Sequence, residues 1–104
     1  MTAVLAVVPG EQSSWALVTR KGVIGRGYFD TMDLGQGLDT LVRLVHAHNW
    51  TVDLIMSDQE SGCLDLEIAR RTVARVAAVY ELETILAPCD DVVQMARRRL
   101  EDAK

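Results

Sequence analysis

The chain has 104 residues, enough for one domain with a single core and too few for a second. Hydrophobic residues make up 49% and aromatics only 5%, so the core must be built from Val, Leu, Ile and Ala, as in parallel sheets covered by helices; this indicates an α/β class. A balance of 11 basic and 15 acidic side chains gives a formal net charge of −4, which opposes strong non-specific binding to nucleic acid, where counterion release rewards clustered Lys and Arg.

The run Ala3-Val4-Leu5-Ala6-Val7-Val8 is too short for a helix and lacks polar alternation, which predicts a strand buried on both faces. Pro9-Gly10 ends it in a turn. Ser14 to Thr19 is a second strand, and Arg20-Lys21-Gly22 turns into Val23 to Phe29, giving an antiparallel hairpin. The glycines at 22, 25 and 27 have the wrong spacing for a dinucleotide fingerprint and open no helix, so they predict a twisted or bulged edge strand.

Leu34, Leu38, Leu41, Val42 and Val45 recur at helical spacing and predict an amphipathic helix from about Gln36 to His48. Gly35-Gln36-Gly37 could offer amides to an anion, but no strand leads into it, so it reads as the start of the helix. His46 and His48 lie two apart and share no helical face, which argues against a His-His metal pair. Val52 to Ser57 is a fourth strand, followed by the polar loop Asp58-Gln59-Glu60-Ser61-Gly62. A second helix is expected from near Leu64 to about Tyr80, with Ile68, Ala69, Thr72, Val73, Val76, Ala77 and Tyr80 as its stripe and Glu67 and Arg71 as an ion pair four apart.

Thr84 to Ala87 is a fifth strand stopped by Pro88. Asp90 or Asp91 can cap a third helix carrying Val92, Val93, Ala96 and Leu100, with Arg97-Arg98-Arg99 in its last turns. Cys63 and Cys89 have no CxxC or CxxH companion, so two reduced thiols are expected rather than a zinc site or a disulfide framework. Neither a targeting leader nor an apolar run of roughly 18 residues is visible, and the Asn49-Trp50-Thr51 sequon therefore has no secretory route. A cytoplasmic protein without membrane partners is the expectation, with residues 1 to 104 forming one domain.

The element order β-β-β-α-β-α-β-α is the one found in the ribonuclease H-like superfamily, and local strings resemble one branch of it, the RuvC-type Holliday-junction resolvases. Val8-Pro9-Gly10 with Ser14-Trp15-Ala16-Leu17-Val18 resembles their opening, Ile68 to Val79 their Ala-Arg-rich second helix, and Ala87-Pro88-Cys89-Asp90-Asp91-Val92 their Ala-Pro-x-x-Val turn. The resemblance implies a five-stranded mixed sheet in the order 3-2-1-4-5. It also implies phosphodiester hydrolysis with two magnesium ions, held by converging carboxylates.

At the positions that matter for that chemistry the chain departs from the resemblance. An Asp precedes Pro-Gly in the family, and Val8 stands there; the fourth-strand acid falls near Ser57 or Asp58; the final acids are replaced by Arg97-Arg98-Arg99. Adjacent parallel first and fourth strands would bring Glu11, Asp58 and Glu60 to one crevice, with Asp90 entering from the fifth. These four are weak catalytic candidates and no cofactor is assigned, magnesium being required only by the nuclease alternative. Arg70, Arg71 and Arg75, with the Arg97 to Arg99 run, are candidates for a phosphate-binding face. The reading that best accommodates these residues is a catalytically degenerate binding or assembly module. It would form a homodimer, covering an exposed hairpin edge, with nucleic-acid-binding accessory protein and metal-dependent nuclease as alternatives.

Overall fold

A computed structural model describes residues 2–8, 12–30, 32–57, 64–87 and 92–102. Its elements are β1 (Thr2–Val8), β2 (Gln12–Thr19), β3 (Gly22–Asp30), α1 (Leu34–Ala47), β4 (Thr51–Ser57), α2 (Leu64–Val79), β5 (Thr84–Ala87) and α3 (Val92–Asp102). They form one five-stranded sheet in the order β3-β2-β1-β4-β5. β1, β4 and β5 run parallel, with Leu5 opposite Leu54 and Ile55 opposite Ile85, while β1 and β3 both pair antiparallel with β2.

The apolar continuity of β1 has its cause in burial on both faces. Ala3, Leu5 and Val7 pack with Leu34, Leu38, Val42 and Val45 of α1 and Ala69, Val73 and Val76 of α2. The alternate residues Val4 and Ala6 pack with Val92, Ala96 and Leu100 of α3, and Val8 lies against the same layer. Two helices therefore cover one face and a single helix the other. α3 is held down by Arg99, whose Nε donates to Asp53 at 3.1 Å and whose second nitrogen reaches Glu83 at 2.8 Å.

One lone helix cannot span five strands, and β3 shows the result: its residues alternate between half-buried and exposed. The edge is bulged, as its glycines predict, because Leu17 pairs with Gly25 and Val18 with Val23, leaving Ile24 as the extra residue. The glycines also serve packing. Trp15 lies across the strand so that a Cβ on Gly27 would sit 3.0 Å from its Nε1 and one on Gly25 3.4 Å from its ring, and its indole stacks on Phe29 with centroids 5.9 Å apart.

α1 begins at Leu34, two residues before the predicted start, so Gly35 and Gly37 belong to its first turn. The physical reason is close approach. A Cβ on Gly37 would fall 2.5 to 2.7 Å from three atoms of the Phe29 ring, and one on Gly35 3.2 Å from Thr72 of α2. Both α1 and α2 end on a left-handed residue, Asn49 (φ 59°) and Glu81 (φ 55°). The next amide then reaches back five residues, Trp50 to Val45 and Leu82 to Ala77, satisfying a terminal carbonyl in the Schellman manner. Ile68, expected in the α2 stripe, is 40% exposed. With α1 as its helical neighbour and the sheet beneath, α2 buries a narrower face than the sequence pattern implies.

Candidate functional site

Ligands in open α/β sheets sit beyond the carboxyl ends of the strands, and the end of β1 has a crevice there of about 250 Å³. Val8, Ser14, Arg26 and Tyr28 line it from the sheet and Val92 and Val93 from the first turn of α3. The cross-strand pairs Val8 with Ser14 and Ser14 with Tyr28 set these side chains on the face that α3 covers only in part. Tyr28 is accordingly 74% exposed. Ser57 ends β4 one residue beyond the Val7 and Met56 pair and is 1% exposed. The described wall thus offers the Ser14 hydroxyl, the Tyr28 phenol and the Arg26 guanidinium, groups that bind and orient; divalent cations of the magnesium class need carboxylate oxygens.

Among the described residues no group of three or more His, Cys, Asp or Glu is placed to hold a metal. Glu11, Asp58, Glu60 and Asp90 lie outside the described residues, as do Asp91, Cys63 and Cys89. His46 and His48 face different aromatics, His46 the ring of Tyr80 and His48 that of Trp50.

The three arginines singled out on α2 divide. Arg70 and Arg71 line an open groove of about 660 Å³ between α2 and the β5 edge, whose floor is Ala74, Ala77, Ala78 and Leu86. Arg75 is exposed outside that lining. Arg71 also makes the expected pair with Glu67 at 3.1 Å. Leu86 is 54% and Val79 69% exposed, so the apolar surface continues past the groove. The Arg97 to Arg99 run divides too: Arg99 turns to Asp53 and Glu83, whereas Arg97 lines a separate cleft with the β2–β3 turn.

A polar cluster that sequence reasoning missed joins α1 to the end of α2. The Tyr80 hydroxyl donates to Asp39, and Arg43 Nε lies 3.0 Å from that hydroxyl and 3.1 Å from Asp39. The Tyr80 hydroxyl foremost, then the Asp39 carboxylate, hold the Arg43 guanidinium above its usual pKa. Asp39 and Arg43 are readable as a helical pair four apart; their partner 37 residues beyond Arg43 is not.

No protein-family model and no curated protein matches the chain. Among solved structures it is similar to YeaZ from Pseudomonas aeruginosa, with a TM-score of 0.57 and 17% sequence identity over 84% of this chain and 43% of that one. The chain thus spans less than half the length of that protein. At this identity the likeness concerns the fold alone, an α/β arrangement built on a mixed five-stranded sheet in the order β3-β2-β1-β4-β5.

Proposed function

We propose that this ribonuclease H-like fold, whose first strand ends in Val8, serves as a binding or assembly module without metal-dependent hydrolysis. The observation that supports this is the place of Val8. It packs against the apolar layer beneath α3, at the position where the resolvase resemblance requires a carboxylate. An alkyl side chain cannot ligate magnesium, and two-metal hydrolysis depends on such ligands from the central strand. The test incubates the protein with branched and single-stranded DNA in magnesium or manganese. Intact substrate is expected; cleavage that disappears in Asp58→Asn or Glu60→Gln would overturn the proposal.

The partner is a second copy of the chain, seated on the groove between α2 and β5. Sequence reasoning placed the dimer on the hairpin edge, but β3 is bulged and carries Arg26 there, both of which discourage strand pairing. The four described residues of β5 carry neither a bulge nor a charge, and Leu86, with Val79 of α2, is exposed beside the alanine floor. Charge supports a two-fold arrangement, since Arg70 and Arg71 border the groove while Glu81 follows the other end of α2. Antiparallel apposition of two α2 helices sets the arginines of one copy against Glu81 of the other. Sedimentation velocity is expected to give twice the 11.5 kDa chain mass, reverting to monomer in Leu86→Asp. A monomer persisting up to roughly 100 μM, or a dimer indifferent to Leu86→Asp, would refute this partner.

A further inference from the structure

At the opposite end of the sheet from Val8, a cleft of about 460 Å³ opens between the β2–β3 turn and the last turns of α3. Arg20 and Lys21 line it from the turn and Arg97 from the helix, with Glu101 as the one carboxylate among the described lining residues. Among the described lining residues Lys21 and Arg97 outweigh the single acid, a local excess of positive charge in a chain whose formal net charge is −4. Among the described residues no ion pair engages Lys21 or Arg97, although Arg99, two positions along the same helix, makes two.

The backbone builds this arrangement. Thr19 is buried, and its Oγ1 accepts the Lys21 amide at 3.2 Å, which fixes the turn so that Lys21 stays at the cleft. Gly22 adopts φ +119° with nothing within 4 Å of the position a Cβ would take. That conformation strains any other residue, and the absence of a side chain leaves this wall of the cleft open. Arg97 comes from a helix anchored at Asp53 and Glu83, so the two sources of charge are held at a set separation. Like charges kept together on ordered elements repel, and an anion between them removes the repulsion while accepting charge-assisted hydrogen bonds.

We propose that this cleft binds the phosphate oxyanions of a small polyphosphate-bearing ligand, with Lys21 and Arg97 as the principal contacts. Pyrophosphate matches the charge of the site, and the volume suits a nucleotide-sized molecule. The site is separate from the β1 crevice and from the α2 arginines, so its fate is independent of the dimer and of the hydrolytic question. Glu101 acts against the anion and moderates its affinity.

Isothermal titration with pyrophosphate at low ionic strength tests the proposal. Saturable one-to-one binding is expected, weakened about tenfold by Lys21→Gln and by Arg97→Gln and strengthened several-fold by Glu101→Gln, with Arg75→Gln as the charge-matched control that leaves it unchanged. A parallel titration with a short oligothymidylate separates the sources of the same chemistry, and binding in the cleft is expected to favour pyrophosphate. Absence of binding at about 5 mM pyrophosphate would overturn the proposal. So would equal weakening by Arg75→Gln, or an oligonucleotide preference untouched by Lys21→Gln.

Discussion

Gly37→Ala gives the sharpest test of how the α1 layer is built. In an exposed helix the change is stabilising by about 1 kcal/mol, because Gly has the larger backbone entropy to lose. Here the new Cβ would stand 2.5, 2.6 and 2.7 Å from three Phe29 ring atoms, whereas unstrained carbon contacts begin near 3.5 Å, so the ring must retreat by about 1 Å. It cannot retreat freely, since its other contact is the stacked indole of Trp15. Overpacking of this kind costs about 1–3 kcal/mol, and loosening the aromatic pair adds about 0.5–1.5 kcal/mol. Set against the helix gain, Gly37→Ala is expected to destabilise by about 1–3 kcal/mol in urea unfolding at 25 °C. In a Phe29→Leu background the obstruction is reduced and the same substitution should turn stabilising. A gain of stability in the wild-type background would refute the packing argument and return Gly37 to the status of an ordinary helix glycine.

Three further outcomes follow from the same structure. Gly27→Val should push the Trp15 indole outward, since even a Cβ meets it at 3.0 Å; with Trp50→Phe leaving Trp15 as the sole tryptophan, its emission should move to longer wavelength, and an unchanged spectrum counts against the packing. Arg99→Ala removes the contacts to Asp53 and Glu83. Because Arg99 and Asp53 are only 31% and 26% exposed, a double-mutant cycle between them should give about 1 kcal/mol of coupling, diminished at 1 M salt, against almost none for the 66% exposed Glu83. Val8→Asp sets a carboxyl against the α3 layer and should cost about 1–3 kcal/mol at pH 7. Desolvation raises such a carboxyl's folded pKa above its unfolded value, so the neutral form is the better tolerated: the loss should shrink as pH falls to about 4, and an equal loss at both pH values contradicts burial.

Much of the architecture was legible because burial leaves periodic traces. β1 reads as a continuous apolar run since helices cover both of its faces, and β5 was delimited to the residue by Pro88. What the sequence could not show was the identity of tertiary neighbours. Gly35-Gln36-Gly37 reads as the entry to α1, and only the positions of Phe29 and Thr72 explain why glycine stands there. Gly25 and Gly27 were read as a bulge, which is present, yet they also make room for Trp15 from the adjacent strand. Val8 was legible as a departure because Pro9-Gly10 marks the place. The Tyr80 contact to Asp39 and Arg43, and the cleft that Lys21 and Arg97 line together, join residues far apart in the chain, and no local pattern announces them. The division of both arginine groups has the same origin: neighbours on a helix point in different directions, so the α2 arginines serve a groove and an ion pair and the α3 run a cleft and ion pairs.

Manganese binding measured by the electron paramagnetic resonance of the free ion tests the non-hydrolytic reading most directly. It counts sites without requiring the right substrate. The account predicts no stoichiometric site with a dissociation constant below about 1 mM at pH 7. One or two equivalents bound at micromolar affinity, and lost in Asp58→Asn or Glu60→Gln, would contradict it and restore a metal-dependent enzyme.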